Sequence, residues 1–148
     1  MVPSKARASI TMNEKVVEIA RDWLGTPYRH QMSVKGLGCD CLGLLRGVWR
    51  TYYQSDEPEQ APNYSPSWGD HRGDDPLMGV AKKYFDSVSC LEVGDVLMFR
   101  MRPAMAVKHC AILTGPETMI HAYSRHKVRE EDFSDWWQKK LVGRFRFR

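Results

Sequence analysis

The sequence predicts an α+β fold: helices in the N-terminal half, one of them central, packed on an antiparallel β-sheet supplied by the C-terminal half. Three observations carry this. Apolar residues recur at three- and four-residue steps up to about residue 53. After Val93 the pattern changes to short apolar runs separated by Gly and Pro turns, which reads as strands. Helices first and strands after give separate layers rather than alternating βαβ units. The 148 residues suit a single domain, 1–148, with residues 1–10 as a loose leader.

Taken in order, Thr11 to Glu14 forms a capping box, with Thr11 as N-cap and Glu14 three residues on. Met12, Val16, Ile19, Ala20 and Trp23 then make one apolar face, and Gly25-Thr26-Pro27 ends the helix. Tyr28 to Gln31 is an extended polar segment leading to a turn around Gly36 and Gly38. From Cys41 the helical pattern resumes, with Cys41, Leu45, Val48 and Tyr52 on one face. Gly43 and Gly47 leave a strip for close approach of another backbone, and Arg46 and Arg50 mark a narrow polar side. This is the central, largely buried helix, expected to run to Tyr53.

Residues 54–75 are polar and rich in Pro and Gly, a long loop of the kind that carries function in compact domains; Trp68 lies within it. Asp75-Pro76 starts a short helix with Leu77, Val80, Ala81, Tyr84 and Val88 on its face. Val93-Gly94-Asp95 is a turn. Strands follow at Val96 to Met101, Val107 to Leu113 and Met119 to Tyr123, with a weaker one around Lys127 and Val128. The last, Leu141 to Arg148, alternates Phe145 and Phe147 against Arg144, Arg146 and Arg148.

Composition bounds the function. A net charge of +4 falls short of the dense basic stripe of a nucleic-acid binder, so no nucleic-acid partner is expected. No apolar run is long enough for membrane insertion, and the start lacks the apolar core of a signal peptide, so synthesis in the cytoplasm is expected. Four cysteines, at 39, 41, 90 and 110, are too few for a disulfide scaffold, and Cys39-x-Cys41 is too tight for a zinc knuckle. No cofactor and no metal are expected.

Cys41 holds a special place. At a helix start, unpaired N–H groups and the macrodipole both favour a thiolate. The plainer reading is an inert core cysteine. His109 and His121 fall on neighbouring predicted strands joined through the Gly115-Pro116 turn. If those strands pair, both imidazoles can share a face, giving a thiol, a base and a group to orient the base.

The chain resembles the NlpC-like family of papain-type cysteine peptidases that cut cell-wall peptides. The matching segments run from Trp23 to Tyr28, Gly38 to Leu44, Val93 to Phe99, His109 to Ile112 and Ile120 to Ala122, in the family's order. The stretch from Tyr28 to Trp49 looks like the subgroup encoded in tail-gene clusters of phages and gene transfer agents. The resemblance implies a papain-like fold, Cys41 as nucleophile, His109 as base and His121 as the residue that orients it. Tyr28, Asp40 and Trp68 are the candidate substrate-binding residues. Leu42 stands where the family often has Ser, and Cys110 where it often has a small residue.

The implied substrate is an amide in the peptidoglycan stem peptide, commonly that between γ-D-glutamate and a diamino acid. The implied partners are phage-like tail or hub proteins, with action in the periplasm or cell wall. Three rivals remain: a muramoyl-alanine amidase or acyltransferase on the same constellation, a zinc-binding module using Cys39, Cys41, His109 and Cys110, and a catalytically silent tail-assembly protein. Adjacent ligands such as His109 and Cys110 would face opposite sides of a strand, which argues against zinc.

Overall fold

A computed structural model describes residues 11–59 and 75–148. Trp68 and most of the expected cleft loop, 54–75, lie outside these. Helix α1 spans Met12–Arg21, and the capping box forms, with Thr11 Oγ1 accepting from the Glu14 N–H and Glu14 accepting from the Thr11 N–H. Val16, Val17, Ile19 and Ala20 are buried, but Met12, expected on the same apolar face, is 56% exposed.

A two-stranded hairpin follows, β1 (Ser33–Val34) and β2 (Gly38–Cys39), too short to show a period in the sequence. Gly36 sits in its turn at φ +81°, where a side chain would be strained. Helix α2 runs Cys41–Tyr53, the bounds expected from its periodicity, and ends on Gln54 in the left-handed region. A Cβ on Gly43 would collide with the Met32 carbonyl oxygen, so the hairpin backbone does lie against this position. At Gly47 the occupant is the Trp23 ring, a side chain rather than the backbone expected. Arg46 and Arg50 pair with Glu57 just past the helix.

Gly43→Ala should therefore be destabilised by about 3 kcal/mol through overpacking against fixed backbone. Gly79→Ala, where a Cβ meets open space within a helix, should gain about 1 kcal/mol in propensity. Urea denaturation of the two variants checks this pair. Equal midpoints would show that the hairpin is not pressed onto α2.

Helix α3 is Pro76–Tyr84, with Leu77 and Ala81 buried. It ends before Val88, whose N–H joins the sheet by donating to the Arg144 carbonyl. Asp75 makes no side-chain cap; its carboxylate accepts from the Val107 N–H and from Arg100. Strands β3 (Asp86–Ser87), β4 (Val96–Phe99), β5 (His109–Gly115), β6 (Thr118–His121), β7 (Arg129–Asp132) and β8 (Leu141–Arg146) form one antiparallel sheet in the order β3-β8-β4-β5-β6-β7. The weak strand expected around Lys127 and Val128 begins two residues later, since the Val128 N–H is spent on the Thr26 carbonyl. A short helix α4 (Asp135–Gln138) precedes β8.

The sheet is covered on both faces, so β4, and β5 up to Thr114, are buried and show no alternation. One face, with Met98, Cys110, Ile112, Ile120 and Phe145, packs on helices α1 to α3. The other, with Leu97, Phe99, Ala111 and Met119, packs on Phe133 and Trp137 of the α4 region. Asp95, fully buried, takes two hydrogen bonds from Arg146 at 2.8 and 2.9 Å and one from the Glu92 N–H, tying the start of β4 to β8. No helix of the described residues is long and apolar enough to cross a membrane.

Candidate active site

The site begins at the N-terminus of α2. Asp40 is its N-cap, with Oδ1 accepting from the Gly43 N–H at 2.7 Å. Its Oδ2 accepts from the Gln31 N–H, also at 2.7 Å. Asp40 is 2% exposed, so this carboxylate, expected among the substrate-binding residues, is a buried clamp between the approach segment and the helix. It sits at the floor of the cleft and holds the first helical residue, Cys41, in place.

The Cys41 Sγ lies 3.5 Å from the Lys108 carbonyl oxygen, against the start of β5. The Cys110 thiol lies behind it and donates to the Cys41 carbonyl at 3.3 Å. Hydrogen bonding from Cys110, and after it from His109 with the attraction of its charge, holds the Cys41 thiol well below the ordinary range, against the opposing effects of burial and Asp40. The same contact and burial raise Cys110 well above that range. The pair therefore keeps its proton on Cys110 and its negative charge on Cys41. Cys39, two residues from Cys41, behaves oppositely: burial, with Asp40 and Cys41 adding, pushes it up to about 12.

His109 and His121 share a sheet face, as the paired-strand reading requires. His109 Nε2 is 2.8 Å from His121 Nδ1, and His121 Nε2 is 2.7 Å from Glu131 Oε1. Burial first, then the positive neighbours His109, Arg129 and His126, lowers His121 to about 3, so its ring is neutral near pH 7. The carboxylate can only accept, so the single His121 proton belongs on Nε2. Its Nδ1 then accepts from His109 Nε2–H, which leaves His109 Nδ1 for the thiol. Phe99 stacks on the His109 ring with centroids 5.9 Å apart, and Trp137 lies 5.4 Å away.

The sequence reading missed Glu131. Its signal was the register: β7 pairs His121 with Arg129 and Met119 with Glu131, so Glu131 stands diagonally across from His121. Placing the strand two residues early hid this. It also missed the Cys110 thiol as a partner of Cys41, where it donates to the carbonyl, because that contact crosses from strand to helix.

An open cleft runs from this cluster, lined by Tyr28, Leu42, Arg102, Tyr123, Trp136 and Lys140 among others. The Tyr28 phenol is raised well above its usual value, chiefly by burial and then by Cys41, Asp40 and Cys39, so it stays a proton donor. Trp136 is 53% exposed, with the Lys140 ammonium 4.4 Å from its ring centroid. Cys110 is buried among the residues facing the helices, while His109 packs against Phe99 on the opposite face. Among the described residues no three His, Cys, Asp or Glu side chains are grouped as metal ligands.

A helix-start cysteine set against imidazoles on an antiparallel sheet defines a papain-like cysteine peptidase architecture. The chain belongs to the NlpC/P60 family, whose pattern matches residues 25–146. It is 27% identical over 138 residues to the gamma-DL-glutamyl hydrolase of Bacillus subtilis, covering 93% of this chain and 30% of that protein. The chain thus spans about a third of that relative's length.

Two solved structures share the fold. The NlpC/P60 family protein from Bacillus cereus ATCC 10987 superposes with a TM-score of 0.65 at 18% identity, covering 91% of this chain and 40% of that one. The NlpC/p60 domain of the peptidoglycan hydrolase SagA gives a TM-score of 0.62 at 22% identity, covering 90% of this chain and 97% of that domain.

Proposed function

We propose that this protein is a cysteine peptidase that hydrolyses the amide between γ-D-glutamate and the diamino acid of the peptidoglycan stem peptide. The observation that carries the reading is the chain of contacts from Cys41 through His109 to His121. In it, the Cys41 thiolate attacks the scissile carbonyl and forms a tetrahedral adduct. N–H groups at the start of α2, apart from that of Gly43, which Asp40 caps, stabilise the oxyanion. His109 gives its Nδ1 proton to the departing amine, leaving a thioester on Cys41. Water then attacks the thioester with His109 as base; the acid leaves, and the thiolate–imidazolium pair is restored. His121 holds the His109 ring in one orientation throughout.

The cleft supports the substrate class. A γ-linked glutamyl residue keeps its α-carboxylate free, and Arg102, Lys108 and Lys140 line the path to the thiol. The relative from Bacillus subtilis is named for γ-glutamyl hydrolysis. Tyr28, a neutral donor beside the nucleophile, suits a contact to the substrate or to the adduct. For context we propose a tail-associated enzyme of a phage-like particle, made in the cytoplasm, carried by tail or hub proteins and acting on the wall. The likeness of the Tyr28 to Trp49 stretch to tail-cluster peptidases supports this. Its test is mass spectrometry of purified particles, and absence from particles despite presence in the lysate counts against it.

Digestion of defined muropeptides tests the chemistry. Cleavage at the proposed bond leaves the sugar with L-alanyl-D-glutamate and releases a peptide that begins with the diamino acid. Release of an intact stem peptide would instead make the protein an amidase. Unchanged muropeptides with folded protein would favour the silent assembly role.

A further inference from the structure

We propose that Glu131, anchored by Arg129, is a positioning residue that fixes the tautomers of both histidines. The inference rests on the cysteine-peptidase reading for its purpose, but its geometry stands on its own. Glu131 divides its two oxygens: Oε1 faces His121 Nε2 at 2.7 Å, and Oε2 faces Arg129 Nη2 at 2.9 Å. Its strand neighbour Glu130 points to the other face and pairs with Arg21 at 3.0 Å. Both are strand carboxylates with an arginine partner, yet only Glu131 reaches a fully buried imidazole.

The direction of the relay follows from what each atom can do. An anchored carboxylate only accepts, so it demands a proton on His121 Nε2. That makes His121 Nδ1 an acceptor and demands a proton on His109 Nε2. His109 therefore exchanges protons with Cys41 through Nδ1 alone. The fixed ring also keeps Nδ1 turned to the thiol, whose lowering depends in part on His109. Other ionisable groups face the relay as well. Asp40, Cys39 and Cys110 lie around the thiol, and Arg129 and His126 lie around His121. The group that faces His121 Nε2 is Glu131 Oε1.

Glutamine at 131 offers an NH2 as readily as a carbonyl, so it no longer dictates the tautomer and carries no charge. The test measures the rate of Cys41 alkylation by iodoacetamide across pH, which needs no substrate. In the wild type the reactive window opens from low pH as the Cys41 thiolate forms, well below the ordinary thiol range. Glu131→Gln should raise the pH at which that window opens by roughly one unit, since the His109 ring that helps hold the thiolate is no longer fixed in one tautomer. On a cleavable muropeptide the same variant should lose about tenfold in kcat, with KM within twofold.

Glu130→Gln, which breaks the pair on the opposite face, should leave the alkylation profile unchanged. Should Glu131→Gln fail to fold, Arg129→Gln frees the carboxylate from its anchor and is read by the same shift. A profile that superposes on the wild type in the folded variant overturns the proposal, as does a tenfold rise in KM with kcat unchanged. Wild-type protein that shows the thiolate window but cleaves no muropeptide would overturn the function and leave this inference standing.

Discussion

Cys41→Ala is expected to have no measurable hydrolysis of a muropeptide, while Cys39→Ala keeps at least half of the wild-type kcat/KM. The two residues are one apart, yet their surroundings are opposite. Cys41 opens α2 and faces the imidazole of His109, with the Cys110 thiol donating from behind. Cys39 ends β2, is fully buried, and holds its proton up to about 12. Removing its sulfur leaves a small cavity that costs about 1 kcal/mol and takes no group from the chemistry.

Alkylation reads the same contrast without a substrate. At pH 6 roughly one ordinary thiol in three hundred is ionised, whereas the lowered Cys41 remains a thiolate well below the ordinary range. Iodoacetamide should therefore mark Cys41 first, and activity should fall with that label. Cys90 is free and exposed, and serves as the accessible comparison thiol. A folded Cys39→Ala that is inactive beside an active Cys41→Ala would reverse the assignment.

His109→Ala should lose at least about a thousandfold in kcat, because this imidazole takes part in every proton transfer and in holding the thiolate. His121→Gln should lose less, about tenfold to a hundredfold, since an amide oxygen can still accept from His109 Nε2–H. His121→Ala should fall between the two, leaving a buried His109 donor unpaired. The assay is kcat/KM with melting temperature recorded beside it. Near wild-type activity in either alanine variant would remove that residue from the mechanism.

The fold was legible where one period ran long enough. Helix α2 had thirteen residues in which to display its stripe, and its bounds are those the pattern gives. The strands β4, β5 and β6 were recognisable as apolar runs between Gly and Pro turns. What escaped was short or tied by single contacts: the two-residue strands of the β1–β2 hairpin and β3, and the four residues of α4. No period can appear in so few residues.

The site divided in the same way. Cys41, His109 and His121 were named because helix starts and strand alternation place side chains on predictable faces. Asp40 stands just before the first helical residue, a place that suits a cap, but its second contact, with the Gln31 N–H, leaves no mark in the sequence. Glu131 was not legible, because its contact with His121 is diagonal and depends on strand register to the residue.

The histidine relay also has an unusual folding history. His109, His121 and Glu131 lie on consecutive strands, with separations of 12 and 10 residues along the chain. Two adjoining hairpins can assemble that half by local contacts alone. The thiol arrives from elsewhere: Cys41 meets the strand only across loops of 67 and 69 residues, through Lys108 and Cys110. Local pairings close quickly, while distant ones wait for the entropy of a long loop to be overcome. A refolding or newly made chain therefore holds an ordered imidazole relay before it holds an activated thiol. The reactive group of this protein is chemically ordinary until the final docking of the two halves, so partly folded chains carry no armed nucleophile.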